Sequence, residues 1–421
     1  MARVLRAAGV DAVYGQPLPG VDVVVARSTH VAGLLAEAHG RVHGRPAAVH
    51  RGEGALAVGG GAVPSGGDAP VAVSSVDELF AVVDALHAAG APGGTGGPLE
   101  LAIDLDPLAP APDAVPPPPA AVDRWVEPDD DLVSAVTGAS RPVVLAGPGV
   151  VGARAVPGLH ALAAAAQVGV LNTWGAKGVF DWRSRHHLAT AGLQARDFEL
   201  AGFGDADLIV ATGVDPAEAG ADRWRLAPVV EVAPGALDPL AGRWSRPAAS
   251  IEMPPLRSLL ATVTQQGWAA TSVPLAPSQV TRHYGQVVGA GGLVAADPGL
   301  AGYWVARTLP TTELGGAQVP ARAESAGWAV ACATVARLRS PGRPVLAAVD
   351  GPVAGVVAEA LDVAASLGVA VPVEVWTPDG AAVDADAHAA RLQALVHADA
   401  PPPVTLATDP GQLDRMVEVA G

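Results

Sequence analysis

Lysine is almost missing from this chain. Lys177 is the only one among 26 lysines and arginines, a bias that GC-rich coding produces. Cysteine is equally scarce: Cys332 stands alone, which excludes an internal disulfide framework and makes a cytoplasmic setting the expectation. Apolar runs such as Leu162–Ala166 and Leu293–Ala296 fall far short of a membrane span, so no membrane partner is expected. The opening MARVLRAAGVDAVYG lacks the charged, apolar, small-residue order of a secretory signal. Basic stripes are absent too, and the formal net charge is −16, which argues against nucleic acid as a partner. Aromatics contribute only 4% of the residues.

What remains is apolar and small. Half of the 421 residues are hydrophobic and 16% are charged, enough to bury large cores. At about 150 residues per domain, two or three domains are expected. Residues 1–108 open with an amphipathic helix around Val4–Ala8 and alternate short strands (Asp11–Tyr14, Val21–Ala26) with an Ala/Leu helix, Val31–His43. A glycine-rich stretch, His50–Gly61, a helix around Val76–Ala89 and a strand, Leu99–Leu105, follow. Ala62–Val73 reads as the scar of a deletion, and the block is short for its class. Residues 109–123 form a semi-rigid proline-rich linker.

Residues 124–264 alternate strands (Pro142–Ala146, Val168–Asn172, Leu208–Ala211, Val229–Val232) with helices (Pro157–Gln167, Ala195–Phe203). Glycines follow three of these strands: Gly147 and Gly149, Gly175, and Gly213. Such glycines let a nucleotide or diphosphate approach the backbone, although Gly-Pro-Gly is also an ordinary tight turn. A second linker, 265–278, leads to a third unit, 279–421. Strand–helix alternation throughout predicts an α/β protein of three domains, each a parallel sheet flanked by helices.

The third unit carries the most pointed stretch, Arg343–Gly380. It reads as a buried strand (Val345–Val349), then Asp350-Gly351, a helix, and a second buried strand (Val371–Trp376). A carboxylate at the carboxyl edge of a parallel sheet lies where α/β proteins place ligands, and the glycine allows close approach. Asp350 capping the next helix is the plainer alternative.

Taken with RPVVLAGPGVV, NTWGAKGVF, His187-Leu188 and DADLIVATG in the middle, the chain resembles the acetolactate synthase branch of thiamine-diphosphate (ThDP) enzymes. DPGLAGYW and ESAGWAVACATVARLRSPGRPV extend the resemblance through the third unit, and VLRAAGVDAVYGQPLPG with LAEAHGRVHGRP through the first. The resemblance implies a pyrimidine-binding-like domain, truncated here, a central nucleotide-binding-like domain and a diphosphate-binding-like domain. It also implies ThDP with Mg²⁺, and active sites shared between two chains.

Carried over by position, the family's functional residues are largely replaced. The relay glutamate that hydrogen-bonds the aminopyrimidine falls at Thr29, which does not shuttle protons at neutral pH; His30 is the candidate surrogate base, with an exposed histidine at a helix start as the plainer alternative. Glu37, two turns on, reads as structural. The metal motif Gly-Asp-Gly survives as Asp350-Gly351 after Val349, and the first asparagine of the following pair reads Thr377, with Pro378 next. A hard divalent cation prefers several carboxylate and carbonyl oxygens. Asp350 and Thr377 are thus the implied metal positions, and Asp350, Gly351 and Gly327 the implied cofactor positions. The substrate cradle corresponds to Arg51–Ala57, with its glycines kept and its polar residues gone. On the central domain, Gly147, Gly149, Thr173, Gly175, Lys177 and Gly213 fit an FAD surface. The arginine usual there reads Val214-Asp215, and Asp215 repels a diphosphate.

Three functions are consistent with these residues. The first is a non-catalytic or strongly impaired homologue, acting as a homodimer or as partner to an intact ThDP enzyme. The second is an active decarboxylase or carboligase acting on a 2-oxo acid such as pyruvate. The third is a nucleotide-binding module working through the central domain.

Overall fold

The computed structural model describes residues 5–6, 9–18, 21–52, 55–59, 71–75, 78, 99–104, 126–246, 251–321 and 326–421. The helix expected around Val76–Ala89 apart from Glu78, the linker 109–123, Glu53-Gly54 of the cradle, and most of Val4–Ala8 and Ala62–Val73 lie outside these residues.

In chain order the described strands are β1 (Val13–Gly15), β2 (Val23–Val25), β3 (Ala47–Gly52), β4 (Ala55–Gly59), β5 (Val71–Val73), β6 (Leu99–Ile103), β7 (Pro142–Ala146) and β8 (Val170–Thr173). They continue with β9 (His187–Ala191), β10 (Leu208–Thr212), β11 (Val229–Glu231), β12 (Leu293–Ala296), β13 (Ala317–Gln318), β14 (Val345–Asp350), β15 (Val373–Ala381) and β16 (Val404–Leu406). The helices that matter here are α1 (Thr29–His43), α2 (Val156–Ala166), α3 (Pro255–Ala269), α4 (Pro277–Val288), α5 (Leu300–Thr308), α6 (Trp328–Arg339), α7 (Val356–Ser366) and α8 (Ala385–His397). Among the described residues no helix is long and apolar enough to cross a membrane. The protein is α/β, with three sheets dominated by parallel pairs and flanked by helices.

The chain divides into two compact units. One comprises Met1–Asp123, Val330–Pro341 and Ala354–Val369. Its sheet has the order β2-β1-β3-β4-β6-β5. This sheet is mixed rather than parallel, because β4 runs antiparallel to both β3 and β6. The reason is local: only two residues separate β3 from β4, and a parallel neighbour needs a crossover of a dozen or more. The glycine-rich stretch His50–Gly61 is therefore largely strand. Helix α1 starts where Ser28 Oγ accepts a hydrogen bond from the Val31 amide at 3.2 Å, and ends at Gly44 in the left-handed region. Its apolar side, including Val31, Leu34, Leu35 and Ala38, is buried.

The other unit comprises Arg124–Ala329, Gly342–Val353 and Ala370–Gly421, and holds two wholly parallel sheets. Their orders are β11-β10-β7-β8-β9 and β13-β12-β14-β15-β16. Strands such as β10 and residues Val345–Val349 of β14 are buried along their length, as parallel strands covered on both faces must be. Each sheet has one point where successive connections leave in opposite directions: between β7 and β10 in the second, and between β12 and β14 in the third. Such switch points form the crevice where doubly wound sheets bind ligands.

Helix α5 is fastened to the second sheet's side of this unit by a buried ion pair. The Arg307 guanidinium donates to both Asp197 carboxylate oxygens at 2.9 Å, and both side chains are fully buried. Tyr303 Oη adds a bond to Gln194 Oε1 at 2.8 Å. A buried pair of this kind adds little net stability but makes loss of either partner costly. The stretch 265–278, expected as a linker, begins inside α3. The apolar spacing Leu256, Leu260, Val263, Gly267 carries the buried face of that helix past residue 264. The helix expected over Ala195–Phe203 shrinks to Asp197–Leu200, with turns on either side.

Candidate functional site

The third sheet's switch point gathers the residues that the sequence placed around a cofactor. Asp297 follows the end of β12, and Asp350 is the last residue of β14. Both carboxylates are taken up by backbone amides. Asp297 accepts from the amides of Gly327 (2.8 Å) and Ala329 (2.7 Å), at the start of α6. Asp350 accepts from the Ala301 amide at 3.0 Å to one oxygen and 3.2 Å to the other, at the start of α5. A carboxylate suits the positive end of a helix dipole. Burial nevertheless pushes both acids up to about 6, against the pull of these amides, and the Asp297 charge pushes Asp350 further in the same direction.

Gly299 makes room for this arrangement. A Cβ there would lie 2.5 Å from Asp350 Oδ2, and the residue's φ of +120° is one that side-chain-bearing residues rarely adopt. Gly351, by contrast, has open space around it, and its amide continues the ladder to the Trp376 carbonyl at 3.1 Å. Thr377 follows Trp376 on β15, which runs to Ala381 with an irregularity between Trp376 and Ala381. Pro378 and Asp379 are exposed there. Among the described residues no group of three or more histidine, cysteine, aspartate or glutamate side chains is placed to hold a metal.

Beneath Asp350 lies a buried polar chain that neither periodicity nor spacing announced. Asp350 pairs with Trp376 across β14 and β15. Trp376 Nε1 donates to Tyr284 Oη at 2.7 Å, and Tyr284 Oη donates to Glu374 Oε2 at 2.6 Å. His388 Nε2 sits 3.2 Å from both Glu374 oxygens, and His388 Nδ1 faces His283 Nδ1 at 2.8 Å. Glu374, His388 and Tyr284 are fully buried. Burial, with the neighbouring His388 next, pushes His283 down to about 4. The only sequence sign was an apolar strand interrupted by Glu374, whose partners come from α4 and α8.

The second sheet's switch point is built differently. The Gly147 amide donates to the Thr212 carbonyl at 2.9 Å and the Gly149 amide to the Gly213 carbonyl at 2.8 Å. A Cβ at Gly147 would collide with the Gly213 carbonyl oxygen, and one at Gly149 would lie 2.7 Å from Gly213 Cα. These glycines press backbone on backbone. Gly175, at the end of β8, donates its amide to Glu218 Oε2 at 3.0 Å, and a Cβ there would collide with the same carboxylate. The amides of Gly147, Gly149 and Gly175 are therefore engaged within the chain. Lys177 is buried, and its amine is lowered to about 7 by burial and then by the Arg307 charge. Burial, and the Lys177 charge after it, lower His187 to about 3.

Thr29 opens α1 and is exposed, as is His30 beside it. An acid from α7 reaches the residue before Thr29: Glu359 Oε1 accepts from the Ser28 amide at 2.7 Å. That contact joins residues 331 apart in sequence, and no local pattern foretold it. Glu37 pairs with Arg41 at 3.2 Å in a largely buried i,i+4 bridge, as a structural residue would.

Residues 130–233 match the family model described as thiamine pyrophosphate enzyme, central domain. The matched span covers the second sheet and reaches neither Thr29 nor Asp350. No curated protein matches the chain significantly. The match supports a thiamine-diphosphate enzyme relative, and that family implies use of thiamine diphosphate, usually with a divalent metal. The residues here do not fit that group. Around the position that the resemblance implies for a diphosphate stand two carboxylates already held by amides, with one hydroxyl, Thr377, and a proline in place of further oxygen donors.

Proposed function

We propose that this chain is a ThDP-enzyme homologue of the acetolactate synthase kind that does not carry out thiamine chemistry, and that it serves as a structural or regulatory partner. The observation that carries this reading is the third switch point. Asp350, the single retained metal-motif carboxylate, caps α5 through Ala301, and among the described residues it belongs to no group of three or more side chains that could hold a cation. The relay position adds to it, since the residue there, Thr29, stands exposed at a helix start and carries no carboxyl group. Function lives in such sites and not in the fold around them.

Association as a homodimer, or with an intact ThDP enzyme, is the use that a preserved scaffold without its chemistry leaves open. Calorimetric titration of the purified protein with ThDP and Mg²⁺, followed by a pyruvate-consumption assay, tests the proposal. The expected result is no binding heat and no turnover. Saturable ThDP binding together with pyruvate consumption would overturn it.

A further inference from the structure

We propose that the third switch point is closed to diphosphates by the chain's own Asp350, which takes the α5 amide and supplies the negative charge that a bound diphosphate would bring. This deepens the reading above and rests on it. An anion at the end of a parallel strand needs two things: free amides at a helix start, and no like charge nearby. Here the Ala301 amide is bonded to Asp350 at 3.0 Å. Asp297, at the adjacent strand end, is held in the same manner at α6, so two carboxylates stand at the switch point.

The closure is built in rather than incidental. Gly299 supplies the space that Asp350 occupies, because any side chain at that position would meet the carboxylate at 2.5 Å. The register that pairs Asp350 with Trp376, and Trp376's bond to the buried Tyr284, fix the strand end that carries the carboxylate. A divalent cation would bridge carboxylate and diphosphate, but the missing oxygen donors leave only the repulsion.

The experiment uses the full chain in EDTA and inorganic pyrophosphate as the probe, read by calorimetry and by the unfolding midpoint. Wild type is expected to show no saturable binding. Asp350→Asn, which keeps the shape and removes the charge, and Asp350→Ala, which also vacates the amide, are expected to bind pyrophosphate at least about ten-fold more tightly than wild type. Asp297→Asn provides the same reading should either variant fail to fold. Equal binding by wild type and variants would overturn the proposal, as would the absence of any gain in all three. Because the medium holds no metal and no thiamine, a failure here leaves the non-catalytic reading standing. ThDP turnover by wild type would instead sink that reading first.

Discussion

The two switch points of the larger unit are closed by different means. Between β7 and β10, glycine meets backbone: Gly147 and Gly149 lie against Gly213, with their amides bonded across the gap. Between β12 and β14, glycine meets a carboxylate, and two acids cap two helices. The first closure is made of main-chain atoms and cannot be removed without moving strands. The second depends on side-chain charge and yields to a single atom change. A glycine after a strand thus says that something comes close, but not whether that something is a ligand, a neighbouring backbone or the protein's own acid.

The largest effect should come from the backbone closure. Gly213 has φ +59°, and a Cβ would lie 2.6 Å from the Val150 amide nitrogen and 2.8 Å from Gly149 Cα. Neither obstacle is a flexible tip. Gly213→Ala is therefore expected to cost about 3 kcal/mol or more, lowering the unfolding midpoint by about 5 °C in a thermal melt. Trimming Val150 to glycine should not rescue it, because the obstructing atom is main chain. A rescue would mean that the strands slide freely, and the contrast between the two closures would fall.

How much of this was legible follows the same line. The parallel strands of the second and third sheets announce themselves as uninterrupted apolar runs: Pro142–Ala146 and Leu293–Ala296 appear with the boundaries the sequence suggested. The mixed first sheet did not, because Arg51-Gly52 and Ala55 look alike whether they cradle a ligand or turn a hairpin. Asp350 was found by its place after a strand, yet its partner, the Ala301 amide, lies 49 residues away. The His283–His388–Glu374–Tyr284 chain draws on α4, β15 and α8, and no window of sequence contains it. Buried polar networks assembled from distant elements have no periodicity to betray them. The same holds for Glu359 beside Ser28.

A middle-sized effect should come from Gly175, whose neighbour is a side chain. Gly175→Ala drives a methyl into the Glu218 carboxylate and breaks its 3.0 Å bond to the Gly175 amide. The expected cost is about 1–2 kcal/mol in chemical denaturation. In a Glu218→Ala background the same substitution should cost less than about 0.5 kcal/mol, since the obstacle has gone. Additive costs in the double-mutant cycle would place Gly175 with the backbone class.

The smallest effect separates the closures by pH, and its sign follows from which state holds more protons. Asp297 and Asp350 are raised from 3.8 to about 6 in the folded chain. Between about pH 6 and pH 4 the folded state takes up protons that the unfolded chain does not, so these two acids favour folding increasingly as pH falls. His283 and His187 act in the opposite direction. Lowered from 6.5 to about 4 and about 3, they support folding above pH 6.5 and lose that support on acidification. The measured profile is the difference of the two. Asp350→Asn isolates one side of it, replacing a buried charge by a neutral side chain of the same shape. At pH 7.5 it should stabilise the protein by on the order of 1 kcal/mol, and at pH 4, where Asp350 is itself protonated, the advantage should vanish. Gly213→Ala, closed by uncharged backbone, should show the same deficit at both pH values. If Asp350→Asn instead weakens the protein most at pH 7.5, the carboxylate is held by charge-stabilising partners after all, and the third switch point belongs with the ligand-binding crevices from which it has been distinguished.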